Sequence, residues 1–314
     1  MKQLISIVMP LYNKSQFIER AILSVLKQSY KNFELLVIDD GSTDGGGDLV
    51  KEIPDPRIRL FRQENSGVSA ARNRGIEKAN SEFIVFLDAD DEWKTEQLFI
   101  FYQLIYQFPD CSFFAQSYVY IHNGSNIIPS SLRKFPINWT GYLDNYLDLA
   151  VEFPPFFTSS VCIRKDLLIK ADGFPEGINI AEDLSLWLKL FFMTRFCFCH
   201  SLNSFYYFGE SNNLSLTKRI QFGHFERLLE KYLSQPGISK THRNKLFEYY
   251  TSRLLYICSQ NLLYDNRQYC QSLLNKCKET QRFKARWKRL YLFSYLPRPV
   301  YKFLFSTWKK IKKF

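Results

Sequence analysis

Along the first hundred residues, short apolar runs alternate with segments whose apolar positions recur every three or four residues. Ile5-Ser-Ile-Val-Met9 is a strand-like run leading into Pro10-Leu-Tyr12-Asn13, after which Ile18, Ala21, Ile22, Val25 and Leu26 mark one face of a helix. Glu34-Leu-Leu-Val-Ile38 repeats the run and ends in the polar turn Asp39-Asp40-Gly41-Ser42-Thr43-Asp44. A third run, Ile58 to Phe61, passes through Asn65-Ser-Gly67 to a helical segment from Ser69 to Ala79, and a fourth, Phe83 to Leu87, stops abruptly at Asp88-Ala-Asp90-Asp91. This alternation predicts right-handed crossovers and an α/β fold with a mostly parallel, Rossmann-like sheet flanked by helices. Unbroken apolar runs suit strands covered on both faces, and such sheets bind ligands beyond the carboxyl ends of their strands. The polar turns therefore mark the side on which a ligand belongs.

Further along, Glu182-Asp183 precede Leu184, Leu186, Trp187, Leu188 and Leu190, which read as a helix with both acids in its first turn. From Gln221 to Lys278 the pattern is helical throughout, with Phe225, Leu228, Leu229 and Tyr232, then Leu246, Tyr249, Tyr250, Leu254 and Ile257, at helical spacing. Two parts are expected: residues 1–220 as the α/β domain, and 221–314 as a helical extension ending in a distinct tail, 280–314.

Side chains alternate along an extended segment, so Asp88 and Asp90 point the same way, while Asp91 turns off as the chain leaves the strand. Paired carboxylates suit Mg²⁺ or Mn²⁺, which bind through one or two such groups and complete their shell with water and phosphate oxygens. A plainer alternative has Asp90 or Asp91 capping a helix that starts near Trp93. Asp183 has its own plain alternative, as the N-cap of its helix.

In order along the chain, SIVMPLYNKSQFIERAILSVLKQSY, FELLVIDDGSTD, NSGVSAARNRGIEKANSEFIVFLDADD, Asp172-Gly173-Phe174 and Ala181-Glu182-Asp183-Leu-Ser-Leu-Trp187 resemble the family 2 glycosyltransferases of the GT-A fold over about the first 210 residues. The resemblance implies inverting transfer of a single sugar from a nucleotide diphosphosugar. It implies that Pro10 and Tyr12 lie at the nucleobase and that Asp39 accepts its imide N–H, a pairing that favours a UDP-sugar. Arg72 is expected to face the nucleotide, Asp88 the ribose, and Asp90 the metal, with Asp88 and Asp91 as further metal ligands. Asp183 matches the family's catalytic base, whereas Asp40 and Asp44 read as turn and cap residues.

One departure stands out. Where many relatives carry a histidine able to approach the metal, this chain reads Phe205-Tyr-Tyr-Phe-Gly209-Glu-Ser-Asn-Asn-Leu-Ser215, leaving Glu210, Ser211 or Asn212 as substitutes, with His200 read as structural. The Gln-x-x-Arg-Trp motif of processive members is absent, which favours addition of one sugar. The stretch Phe153–Thr158 and the loop before Ala181 are expected on the acceptor side. Two readings from other classes stay open: a nucleotidyltransferase, which would carry an N-terminal glycine-rich loop in place of Pro10-Leu-Tyr12-Asn13, and a non-catalytic scaffold, which would have lost one of Asp88, Asp90 or Asp183.

Composition adds two constraints. Seven cysteines, odd in number and without a Cys-x-x-Cys pair, argue against a disulfide framework or a zinc site. The formal charge of +11 resides wholly in the last 35 residues, which hold 11 Lys or Arg, no acid, and aromatics such as Trp287, Tyr291, Tyr295, Tyr301 and Trp308. Interleaved basic and aromatic residues fit an anionic membrane surface, while Pro297, Arg298, Pro299 and Lys302 interrupt any spanning run. Packing on the main domain is the plainer alternative; no nucleic-acid-binding signature accompanies the tail. With no leader ahead of the first strand, the expectation is a cytoplasmic protein, peripheral on the inner face of the cell membrane, acting on a glycan or polyprenyl-diphosphate-linked acceptor.

Overall fold

The computed structural model describes residues 3–122, 124–151, 153–178, 180–208, 223–264, 266–297, 299–301 and 303–304. The chain divides into two compact units, Met1–Leu149 with Phe153–Asn213, and Ala150–Glu152 with Leu214–Phe314.

The first unit opens with strands β1 (Ile5–Leu11), β2 (Phe33–Asp39), β3 (Ile58–Arg62) and β4 (Phe83–Phe86), separated by helices α1 (Ser15–Leu26), α2 (Gly46–Lys51) and α3 (Val68–Lys78). It continues through β5 (Glu92–Trp93), α4 (Gln97–Gln107), β6 (Phe113–His122), β7 (Ser125–Ile127), β8 (Thr140–Tyr142), α5 (Tyr146–Ala150), β9 (Val161–Arg164), α6 (Lys165–Lys170), α7 (Glu182–Phe191) and β10 (Phe196–Phe208). The sheet order is β3-β2-β1-β4-β9-β6-β10-β5, with β7 on β6 and β8 on β10. β1 to β4 are parallel neighbours, β9 is inserted antiparallel between β4 and β6, and β6 and β10 pair in parallel. The six principal strands thus run in one direction, as expected of the mostly parallel GT-A type of sheet.

Every residue of β1 and β2 is buried, which explains runs that are apolar without alternation. Pro10 is tolerated inside β1 because pairing with β4 ends at Val8↔Phe86, while pairing with β2 continues through Pro10↔Ile38. Its absent N–H points to the side where the ladder has stopped. α3 lies so close on β1 that a Cβ on Gly75 would come within 2.2 Å of Val8, and this approach brings Arg72 to the end of β4.

Trp93 corrects one sequence alternative. It lies in β5, paired with Ser204, and the next helix begins only at Gln97 with Glu96 at its cap, so neither Asp90 nor Asp91 caps it. All seven cysteines are free and buried. His200 is buried beside Phe135, and burial lowers its pKa, in keeping with a structural residue.

The second unit contains α8 (Gly223–Ser234), α9 (Lys240–Leu262), α10 (Arg267–Lys276) and α11 (Lys284–Phe293). Leu246, Tyr249, Tyr250, Leu254 and Ile257 of α9 are core residues. Part of the basic, aromatic segment packs here: Trp287 Nε1 donates to the Leu274 carbonyl at 2.8 Å, Tyr301 Oη donates to the Ser259 carbonyl at 2.9 Å, and Leu290 is buried. Among the described residues no helix is long and apolar enough to cross a membrane.

Candidate active site

Four loops meet at the carboxyl ends of β1, β2 and β4. The first two are stapled: Asn13 takes a left-handed backbone (φ 51°), its Oδ1 accepts Thr43 N–H at 2.8 Å, and its N–H donates to Ser42 Oγ at 3.1 Å. This holds Tyr12 just past β1 with 48% of its surface exposed, available as a stacking face. Asp39, at the end of β2, is 2% exposed; its carboxylate accepts Ser42 N–H at 2.9 Å and Arg62 Nε–H at 3.1 Å, leaving lone pairs for a further donor. Asp40 accepts from Gln63 Nε2 and from the N–H groups of Ser66 and Gly67, and Asp44 from those of Ser15 and Gly46. Both are turn-forming residues, as their sequence setting predicts.

Arg72 is the hinge of the site. It is 3% exposed rather than a surface residue; Nη2 donates to Asp88 Oδ1 at 2.8 Å, Nη1 to Glu182 Oε1 at 3.1 Å, and the guanidinium lies 5.0 Å from the Phe174 ring centre. Burial opposes its charge, but Asp88 and Glu182 outweigh that and raise its pKa. Its neighbour Asn73 clamps the backbone of Phe174 from both sides, giving Nδ2–H to the carbonyl at 2.9 Å and accepting the N–H at 2.8 Å. Gly173 is required there: φ is +61°, and a Cβ would meet Asn73 Oδ1 at 2.4 Å. Phe174 packs edge-on against Phe86 and Trp187, which seats α7 on the sheet.

α7 begins after Ala181, whose left-handed φ of 62° is uncommon for a residue with a Cβ. Ala181 is the cap and Asp183 the second helical residue, which corrects the reading of Asp183 as the N-cap. Its Oδ1 accepts Leu184 N–H at 2.7 Å. Burial, and then the adjacent Glu182, push its pKa up to about 7, against the pull of Arg72 and the Leu184 N–H. A carboxyl poised there can exchange protons near neutral pH.

The three aspartates after β4 part company. Asp88 keeps a partly exposed carboxylate on Arg72, and Asp90 a partly exposed one on Lys14, at 2.7 Å. Asp91 is buried: Oδ2 accepts from Ser159 Oγ at 2.5 Å and Oδ1 from Tyr207 N–H at 3.3 Å. Burial, then Asp90 and Asp88, raise its pKa well above the usual carboxyl range. Asp88 and Asp90 therefore offer the hard oxygen donors a divalent cation takes, and Asp91 does not. No group of three acidic, histidine or cysteine side chains able to hold a metal occurs among the described residues. Glu210, Ser211 and Asn212 lie outside those residues.

Two participants escape sequence reasoning. Ser159, fully buried before β9, accepts Asp88 N–H at 3.0 Å and donates to Asp91, while its carbonyl accepts Trp93 Nε1–H and Ser204 Oγ–H. Lys14 is the other, one residue beyond Asn13. On the expected acceptor side, Phe157 packs against Tyr118 and Tyr206, at 4.7 and 5.1 Å between ring centres. A separate groove of about 730 Å³ between α1 and β5, lined by Arg20, Lys27 and Trp93 among others, contains none of the candidate acids.

Comparisons with known proteins bear on the family and the fold. A family model described as glycosyl transferase family 2 matches residues 6–168, just over half of the chain. An uncharacterized glycosyltransferase of Rickettsia felis is 33% identical over 202 residues, covering 59% of this chain and 30% of that protein. The chain thus spans under a third of the length of that relative. An Escherichia coli protein named UDP-Glc:alpha-D-GlcNAc-diphosphoundecaprenol beta-1,3-glucosyltransferase WfgD is 42% identical over 123 residues, 39% of this chain and 48% of that protein. Among solved structures, Staphylococcus aureus TarS 1-349 in complex with UDP-GlcNAc superposes with a TM-score of 0.69 at 20% identity, covering 91% of this chain and 79% of that one, a likeness of fold.

Proposed function

Since the chain belongs to glycosyl transferase family 2, we propose that it transfers a single sugar, with inversion, from a nucleotide diphosphosugar to a hydroxyl of a glycan acceptor. The donor is a UDP-sugar, and the acceptor is carried on a polyprenyl diphosphate during synthesis of a bacterial cell-surface polysaccharide. The WfgD name, with its UDP-linked donor and diphosphoundecaprenol acceptor, supports this choice. Residues 1–220 carry the reaction, and the tail, 280–314, meets the anionic inner face of the membrane.

One observation carries the reading: Arg72 joins Asp88, at the end of β4, to Glu182, next to Asp183, so the donor-side acids and the candidate base form one charged cluster. Tyr12 stacks on the base, Asp39 accepts its imide N–H, and Pro10 shapes the floor beneath. Asp88 and Asp90 would hold Mn²⁺ or Mg²⁺, which when bound neutralises charge on the departing nucleoside diphosphate. The acceptor oxygen bonds to the anomeric carbon as the bond from that carbon to the diphosphate breaks. Its proton passes to Asp183 Oδ2, because Oδ1 is engaged by the Leu184 N–H.

Calorimetric titration with UDP, GDP and CMP, with Mn²⁺ and with chelator, tests the reading. Metal-dependent UDP binding that is lost in Asp90→Ala is the expected result; tight binding of a different nucleotide redirects the donor assignment, and binding of none removes the enzyme reading.

A further inference from the structure

Resting on the donor-site reading above, we propose that Lys14 is the resident counter-cation of Asp90, occupying the carboxylate in the free protein and leaving it whenever a divalent cation binds. Lys14 Nζ stands 2.7 Å from Asp90 Oδ2, and the two side chains are only 24% and 18% exposed. A pair so far withdrawn from water is screened less than a surface ion pair.

The position of Lys14 makes the pairing purposeful. It is the N-cap of α1, where Ser, Thr, Asp or Asn is preferred and a positive charge opposes the helix dipole; its own side chain makes no capping bond, the first turn holds no acid, and the Ser15 N–H is taken instead by Asp44 from the neighbouring loop. A lysine there is unfavourable for the helix; Asp44 offsets this at the helix terminus and Asp90 at the ammonium group. The preceding residue, Asn13, is fixed in its left-handed turn by Thr43 and Ser42, so the lysine is delivered from a rigid anchor. Arg20 of the same helix donates to the Asp90 carbonyl at 2.7 Å, holding the acid's backbone against α1.

Asp90 Oδ2 cannot serve an ammonium and a divalent cation in the same direction, and two cations on one carboxylate repel. In the free protein the Asp90 carboxylate accordingly has a cation against it before substrate arrives. The lysine, once released, has a new anion available in the diphosphate of the donor.

Mn²⁺ titration followed by electron paramagnetic resonance, without nucleotide, reads this directly on the full chain and on Lys14→Met, Lys14→Arg and Asp90→Ala, each checked for folding by circular dichroism. Lys14→Met is expected to bind Mn²⁺ about tenfold more tightly, Lys14→Arg within about twofold of the parent, and Asp90→Ala not at all. Unchanged affinity in Lys14→Met, with the site lost in Asp90→Ala, would overturn the competition and leave the donor-site reading standing. Equal Mn²⁺ binding by the parent and Asp90→Ala would remove both. UDP binding that persists in chelator yet disappears in Lys14→Met would place the lysine on the diphosphate instead of a metal, which also overturns the proposal.

Discussion

The hydroxyl of Ser159 donates to the buried carboxyl of Asp91 at 2.5 Å, joining residues 68 positions apart. The same oxygen accepts the Asp88 N–H, so one side chain fixes both the backbone at the first candidate ligand and the acid that closes the loop. Ser159→Ala leaves a buried acid without its donor and an N–H without its acceptor. Stability should fall by about 1–3 kcal/mol in urea unfolding, the cost of unsatisfied buried polar groups. A loss below about 0.5 kcal/mol would mean that the loop is held by other contacts.

Arg72→Met removes the cation between Asp88 and Glu182 while preserving much of the side-chain volume over Phe174. Breaking a buried pair by deleting one partner typically costs 3–5 kcal/mol; with Asp88 partly exposed, about 3 kcal/mol is expected here. Because Arg72 also lowers the pKa of Asp183, the acid limb of the variant's pH–rate profile should move to higher pH. An unmoved limb would show that Arg72 stabilises the fold without tuning Asp183.

The first four strands were legible because β1, β2 and β4 are buried on both faces, the half-buried edge strand β3 keeps a short apolar run, and the connections are local, so periodicity reveals them. The second half was not. β9 slots between β4 and β6 by pairings that no local pattern encodes, and Trp93 is drawn into β5 by Ser204, more than a hundred residues away. Asp88 and Asp90 stood out because carboxylates directly after an apolar run are unusual, and Asp183 because it stands in the first turn of a helix at a position the family resemblance marks. The burial of Arg72 did not, since it depends on partners 16 and 110 residues distant. Ser159 and Lys14 are common residue types in unremarkable local settings; only the tertiary contacts distinguish them.

The pKa of Asp183, raised from an ordinary 3.8 to about 7, has opposite consequences for rate and stability. Between those values the folded protein binds a proton that the unfolded chain has released, so stability falls as pH rises through the window. The unprotonated base accumulates over the same range, so kcat/KM should rise to a plateau above about pH 7. Asp183→Asn should lose about 10²- to 10⁴-fold in turnover and flatten this part of the stability profile. Glu34 behaves in reverse: burial raises its pKa, but donors from Ser6, Asn80 and Arg59 prevail and hold it below the ordinary 4.5. Its contribution is present above that value and fades as pH falls. Urea unfolding of the parent and Asp183→Asn at a series of pH values checks both signs.

Membrane contact through the tail calls for substitution rather than truncation. Tyr301 is buried and bonded to Ser259, and Trp287 is bonded to Leu274, so deleting residues 280–314 would strip the helical unit of part of its own core. Among the described residues of this segment the exposed large apolar side chains are Leu292 (65% exposed), Tyr295 (58%), Val300 (44%) and Phe303 (69%), accompanied by the exposed lysines Lys284 and Lys288. Rings and aliphatic chains beside ammonium groups suit the headgroup layer, where each basic residue adds about 1 kcal/mol on an anionic surface. Replacing Leu292, Tyr295 and Phe303 together by serine should leave the thermal midpoint within a few degrees. Burial of one such side chain is worth roughly 1.5–3 kcal/mol, so binding to phosphatidylglycerol vesicles should weaken by at least about tenfold. Raising the salt should weaken binding by the parent, because the electrostatic share is screened. Flotation on phosphatidylglycerol and phosphatidylcholine vesicles separates the outcomes. Equal partitioning onto both lipids would remove the electrostatic part of the argument, and unchanged partitioning of the triple variant would remove the apolar part, leaving the tail as a packing element of its own helical unit.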